Sequence, residues 1–455
     1  MVAVREIAAL RSSLTGEIIE PEDPRYDKAR SLFYGGIDKR PAAILRVANA
    51  QDAARVIQYA RETGVELAVR SGGHSPVGSS LSDGGIVLDL HDMRRVEVDV
   101  AKRTAWAETG ATAVEFATAA GAHGLGVSFG DTGSVGLGGI TLGGGVGYLV
   151  RKHGLTIDNL IAAEIVTADG TVRRIDAEHE PDLFWAIRGG GGNFGVATRL
   201  HFRLHQVDPF VGGMLMQPAS AQFIHDFIAI SAAAPEELTT IANVMPAPPM
   251  PFVPAEWHNK LVAMSFVCYA GGGDAAERAI APLRKLATPI VDMVKLMPYA
   301  QIYPPEDDSY HPIGTGRNML VDAIDKRSAE SMIEYLSSSP ATFSVAQLRV
   351  MRGAVARVPD DATAYAHRRR FAMINIGNLV QSVEELTAIK PWVDSFEKAI
   401  QRGPEAAYVN FLMDEGPERV RRAYPAGTYE RLMKVKRQYD PTNLFRLNQN
   451  IPPSA

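Results

Sequence analysis

The sequence is nearly devoid of cysteine: Cys268 is the only one in 455 residues. No disulfide can close within the chain and no thiolate metal cluster can form. With no base motif around it, Cys268 reads as a small buried hydrophobe. Long apolar runs are also missing, and no segment reaches the ~20 residues that a membrane span requires. The opening stretch "MVAVREIAALRSSLTGEIIEPED" places acids and arginines where a secretory signal needs an unbroken apolar core. Together these absences lead to an expected cytoplasmic location. Basic excess is lacking as well: the net charge is −5, which offers no footprint for nucleic acid or anionic lipid. The P-loop spacing G-x-x-x-x-G-K-[ST] does not occur. A small molecule is the partner that these exclusions leave.

The composition, 46% hydrophobic and 22% charged, is that of a globular protein, and the length suggests two or three domains. "NAQDAARVIQYARETG" (49–64) carries a helical stripe at 53, 56, 57 and 60, with Asn49 or Asp52 as cap and Gly64 as stop. "VELAVRSGG" and "GGIVLDL" read as strands, "VEVDVAKRTAWAETG" as a hairpin and "AVEFATAAGAHG" as a helix. This is an α+β mixture rather than strict alternation. From about 207 to 400 the chain changes to a proline-rich loop, "MPAPPMPFVPAEW", and alternating runs such as "FSVAQLRVMRGAVARV", a separate sheet-and-helix domain. The tail reads as a strand, "AAYVNFLMDEG", then a basic helix and a coil. The expected division is 1–206, 207–404 and a closing segment 405–455 that returns to the first domain. No internal repeat is visible.

Glycine, 41 residues, is concentrated in three stretches: "VRSGGHSPVGSS" (69–80), "GVSFGDTGSVGLGGITLGGGVG" (126–147) and "RGGGGNFGVATRLHF" (188–202). Gly190, Gly192 and Gly195 formally fit G-x-G-x-x-G, but a helical pattern precedes them and a strand follows, the inverse of the dinucleotide context. The glycine stretches keep Val, Leu and Ile, so they are not flexible linkers. Bare backbone of this kind lets a large flat group approach, and its free N–H groups can hold a pyrophosphate without lysine.

Three of these motifs, in order, resemble the berberine bridge enzyme-like group of FAD-linked oxidases within the vanillyl-alcohol-oxidase fold. They are Arg70-Ser71-Gly72-Gly73-His74, the block from Gly136 to Gly147 followed by "RKHGLTIDNL", and the closing "YDPTNLFRLNQNI". Within the group the chain is similar to the short bacterial 6-hydroxy-D-nicotine oxidase-like form. The resemblance implies an α+β architecture: a PCMH-type FAD-binding domain of two α+β subdomains, plus a substrate domain with an antiparallel sheet covered by helices. It implies FAD bound covalently through His74, by a ring nitrogen on the 8α-methyl carbon. Many relatives add a second bond from a cysteine in the loop where Thr132 stands here, and a threonine hydroxyl cannot replace a thiolate. A single linkage is therefore expected.

The resemblance assigns the FAD contacts to Arg70, Ser71, Gly72, Gly73 and His74 with Ser75 and Gly78, and to Thr132, Gly133 and Val135. It extends them through Gly136, Gly138, Gly139 and Leu142, then Gly143, Gly144, Gly147 and Tyr148. Asp158 with Asn159, Gly195 with Val196, and Asn448 with Asn450 complete the set. Val135 matches an oxygen gate near the flavin, where valine goes with O2 access. A flavin needs a substrate C–H at N5 and a group to take a proton; Tyr408 and Asn410, two apart on the expected strand, are the catalytic candidates. Gln347, Arg349 and Met351 would share one face of the middle sheet as a substrate ceiling, and Tyr299, Tyr303 and Tyr310 would line the same cavity. The implied activity is an FAD-dependent oxidase that takes hydride from a carbon beside an alcohol or amine, using O2 and making H2O2. The alternatives are a flavin dehydrogenase or a tailoring enzyme that oxygenates or cyclises a natural product. The expected assembly is a monomer or homodimer.

Overall fold

A computed structural model describes residue 7 and residues 10–307 and 309–454. Three sheets organise them. In the first, Glu17–Ile19 pairs antiparallel with Ala43–Arg46, which runs parallel to Ile86–Asp89, itself parallel to Leu67–Arg70. The helix Ala50–Thr63 covers it through Ala53, Val56, Ile57 and Ala60. Of the two candidate caps, Asn49 is the one used, its side chain accepting from the Asp52 N–H, and Gly64 ends the helix at φ 71°. Asp52 instead turns inward and accepts from the Thr15, Gly16 and Ala48 N–H groups, tying the first strand's approach to this helix.

The second sheet is antiparallel throughout, in the order Val96–Asp99, Thr104–Glu108, Val196–Arg203, Leu160–Val166, Val172–Asp176. The expected hairpin is its edge, with Asp99 opposite Thr104. Ala113–Gly121 packs against it, opened by a Thr112–Glu115 capping box, and Phe116, Phe129 and Phe202 meet edge to face beneath it. Gly190 to Gly195 lie between the helix Pro181–Ala186 and the strand Val196–Arg203, so the inverted context read from the sequence is the observed one.

The third sheet has eight strands, all between residues 211 and 380. The helices Ala221–Ala233, Gly273–Arg284, Lys326–Ser337 and Val383–Ile400 bury apolar side chains on one face of it. Strand periodicity then decides what the other face carries. Along Phe343–Val350, Ala346, Leu348 and Val350 enter the helix-covered core. Gln347 and Arg349 point the opposite way and line a cavity between this sheet and the glycine-rich segments.

The tail departs from the sequence reading in one respect. Residues 405–415 form no strand; Val409–Phe411 is a single 3₁₀ turn. The reason is where the N–H groups go: that of Tyr408 donates to the Asn318 side chain, and that of Phe411 folds back on the Tyr408 carbonyl. No neighbouring strand ladder is left for this segment to join. The basic helix Ala426–Tyr439 follows as expected and packs Leu432, Val435 and Tyr439 into the core of the second sheet.

Candidate active site

One cavity of about 570 Å³ touches all three glycine stretches, the third sheet and the tail, a size within the range of small-molecule and cofactor sites. Its floor is made by two loops that cross main chain to main chain. A methyl group added to Gly72 would lie 2.2 Å from the Gly136 nitrogen, and one added to Gly136 would lie 2.2 Å from the Gly72 nitrogen. Glycine is demanded there by the crossing itself. Elsewhere it leaves an open face: at Gly139 and Gly192, both in the cavity wall, an added methyl would meet nothing within 4 Å.

His74 follows the crossing, after Gly73 at φ 71°. Phe33 stacks on its ring at 4.4 Å and 21°. Nε2 lies 2.8 Å from the Ser134 hydroxyl oxygen, and Ser134 is in turn held by Glu306, through its N–H at 2.8 Å and through a very short hydroxyl contact. Burial pushes the His74 pKa down to about 4, against the pull of the Glu306 charge. The imidazole is therefore neutral near pH 7, with a lone pair available.

In the same cavity wall, the Tyr408 hydroxyl accepts from the Gly145 N–H at 2.8 Å and from the Asn410 amide at 2.9 Å. Asn410 also donates to the Ile140 carbonyl. Although no strand aligns them, the 3₁₀ turn brings the two side chains together. Burial raises the Tyr408 pKa to about 12, in spite of both donors and the nearby Arg349 charge. Nearby, Arg349 donates to Asp131 at 2.5 Å, to the Val146 backbone carbonyl at 2.8 Å and to the Gln347 side-chain Oε1 at 2.6 Å, while the Gln347 amide donates to Asn243 and Asp131. Asp131 and Arg349 thus pair across the sheet and glycine-loop elements.

Several residues expected at the site lie apart from the cavity. Arg70 braces the N-terminal region by donating to the Ala29 and Ser31 carbonyls. Gly78 packs against Ile37, and Gly133 against Val114 and Tyr303. Gly143 and Gly144 are bare to admit Asn410 and Tyr408, and Gly147 abuts the Phe129 carbonyl. Tyr148 is buried and donates to the Asp131 carbonyl. Asp158 receives the buried Arg368 guanidinium in two bonds of 2.8 Å, and Asn159 ties the His153 and Leu155 carbonyls to His205. These interactions make that pair a structural joint. Tyr299 and Tyr303 are packed among Tyr148 and Phe210 rather than in the cavity, and Tyr310 is 53% exposed on the surface. Of the closing pair only Asn448 lines the cavity.

Ser71, Gly72, Gly73, His74 and Ser75 are brought to the wall, as are Thr132, Val135, Gly136, Gly138, Gly139 and Leu142, and Gly195 with Val196. Sequence reasoning missed Phe33 and Tyr34, whose "FYGG" run was the available signal, and Asp131 and Glu306, which gave none. Among the described residues the buried Asn448 side-chain oxygen has no partner, an acceptor left for a bound group. A bare-backbone wall, a neutral histidine beside it and an unmet acceptor fit a large planar dinucleotide cofactor.

Comparison with known proteins agrees. A family model described as FAD binding domain matches residues 41–176, and one described as berberine and berberine like matches residues 407–452. The chain is 30% identical to (R)-6-hydroxynicotine oxidase of Paenarthrobacter nicotinovorans, covering 97% of this chain and 98% of that protein. It is 31% identical to an uncharacterised FAD-linked oxidoreductase of Bacillus subtilis, over 97% and 99%. The crystal structure of 6-hydroxy-D-nicotine oxidase from Arthrobacter nicotinovorans superposes with a TM-score of 0.85 at 28% identity, covering 97% of this chain and 98% of that one.

Proposed function

This chain belongs to the berberine bridge enzyme-like family of FAD-linked oxidoreductases, and from that premise we propose how its cavity works. It is an oxidase that removes hydride from a C–H beside the oxygen or nitrogen of a medium-sized alcohol or amine, with FAD tethered to His74 alone. The observation that carries this reading is that one cavity joins His74, the bare face at Gly139 and Gly192, and the Tyr408–Asn410 pair. When bound, FAD would supply the acceptor for the electron pair and the redox centre at which O2 becomes H2O2. Ser71 to Ser75, Val135, Gly136, Gly138, Gly139, Gly195 and Val196 would hold it, and the Asn448 side-chain oxygen would serve as an acceptor.

The chain's own groups do the rest. Tyr408 takes the proton from the substrate's heteroatom, and its Gly145 and Asn410 donors stabilise the phenolate that does so. Asn410 fixes the hydroxyl's direction. Among the described lining residues Asp131 and Arg349 carry the formal charges, and they neutralise each other. The cavity therefore favours a substrate uncharged where it meets this wall, because an ionic group would find no free counter-charge. The relative named for 6-hydroxynicotine is consistent with a nitrogen-bearing ring compound.

His74→Ala tests the tether. Acid precipitation should leave wild-type protein yellow and release the variant's flavin into the supernatant; pigment that stays with the variant's pellet contradicts the assignment. Val135 in the cavity wall favours oxidase over dehydrogenase. Val135→Leu should slow reoxidation of the reduced enzyme by O2 while leaving anaerobic reduction unchanged, and equal reoxidation rates would remove the gate.

A further inference from the structure

Glu306 is an exposed acid from the loop after Tyr299–Ile302, yet both of its oxygens are turned inward onto Ser134, 172 residues away in sequence. Ser134 in turn touches His74. Donor and acceptor rules fix the direction of this chain of contacts. An ionised carboxylate only accepts, so the Ser134 hydroxyl donates to Glu306 and its oxygen is left to accept from the histidine. Nε2 is then the nitrogen that bears hydrogen, and Nδ1 the one with the lone pair. The charge of Glu306 and the backbone of Ser134 both favour added positive charge on the ring, while Phe33 fixes its plane.

We propose that Ser134 and Glu306 drive the attachment of FAD to His74: Ser134 takes the Nε2 proton as Nδ1 forms its bond, and Glu306 receives the proton that Ser134 gives up. This rests on His74 being the tether. The step makes one bond, from Nδ1 to the flavin 8α carbon, and breaks two, a methyl C–H and Nε2–H. Both hydrogens leave as protons, one of them through Ser134. The electron pair of the C–H bond stays on the flavin as a two-electron reduction and is passed to O2, the oxidase's own co-substrate, as H2O2. Without a route for the Nε2 proton, bond formation would leave a cation in a site whose burial opposes charge on the ring. Ser134 contacts the reacting residue; Glu306 acts through it as a positioning residue.

The test uses full-length apoprotein from flavin-limited cells, mixed with FAD in air. Total bound flavin is read by absorbance, and attached flavin by the fluorescence of acid-precipitated protein over time. Glu306→Gln keeps an acceptor for the Ser134 N–H but removes the charge; it should bind FAD as wild type does and attach it about tenfold or more slowly. Ser134→Ala should slow attachment likewise, and Glu306→Asp should restore part of the rate. A purely structural Glu306 would alter binding and attachment together. Wild-type attachment rates in both Glu306→Gln and Ser134→Ala, with none in His74→Ala, would overturn the relay and leave the tether standing. Attachment in His74→Ala would overturn both.

Discussion

Gly136→Ala should purify almost without flavin and melt well below wild type, whereas Gly139→Ala, three residues on, should lose flavin and keep its stability. The two glycines are bare for opposite reasons. At Gly136 the new methyl lies 2.2 Å from the Gly72 nitrogen, 2.3 Å from the Ser71 hydroxyl and 2.7 Å from the Gly72 Cα. The Ser71 hydroxyl could rotate away only by giving up its bond to the Thr109 carbonyl, and the Gly72 nitrogen and Cα are main-chain atoms, so no rotamer change relieves the contact. The loops must part by more than 1 Å, and overpacking of this severity costs about 3 kcal/mol or more. His74 moves with them. At Gly139 nothing lies within 4 Å, and within the helix Leu137–Gly143 alanine restricts the unfolded chain. The apoprotein should gain up to about 1 kcal/mol, while the methyl enters the space assigned to FAD. Melting curves of apoprotein and holoprotein, with the flavin absorbance of each preparation, separate the two cases. Full flavin content in Gly139→Ala would show that this face does not touch the cofactor.

The same contrast explains what the sequence disclosed. Glycine density marks the stretches that line the cavity, because bare backbone serves both to pass another segment and to leave an open wall. Density does not distinguish the two uses: Gly143, Gly144 and Gly147 stand in the same run as Gly139, yet they make room for Asn410, Tyr408 and Phe129. Local chemistry was readable: the Asn49 cap, the Gly64 stop and the alternation that turns Gln347 and Arg349 to one face each depend on a few neighbouring residues. Partnerships across the chain were not. Arg349 meets Asp131 over 218 positions, and Tyr408 meets Gly145 over 263. Asp158 lies in a motif that implies a cofactor contact, but its carboxylate is bonded by Arg368, buried and 210 positions away. The tail's apolar pattern suggested a strand, but that pattern records burial, and strand formation also requires an adjacent ladder, which this segment lacks.

Tyr408→Phe should lower the rate of flavin reduction by substrate about 10²- to 10⁴-fold, the span that a positioned proton acceptor contributes. Burial has raised this phenol to about 12, so the sign of its pH dependence follows. The phenolate is a minor species near pH 7, and each unit of alkalinity enlarges it about tenfold. Anaerobic reduction of wild type should therefore quicken steadily from neutral to alkaline pH, until a later step limits it, and the phenylalanine variant should be flat over the same range. The substitution also leaves the Gly145 N–H and one Asn410 donor without their acceptor, at about 1–3 kcal/mol for buried groups. Melting and flavin content must be measured beside the kinetics, because a loosened Asn410 would shift KM and leave the pH slope intact. Parallel slopes in the two proteins would take the proton-accepting role away from Tyr408. The hydroxyl would then be an anchor that orients the substrate, with the proton leaving by another route.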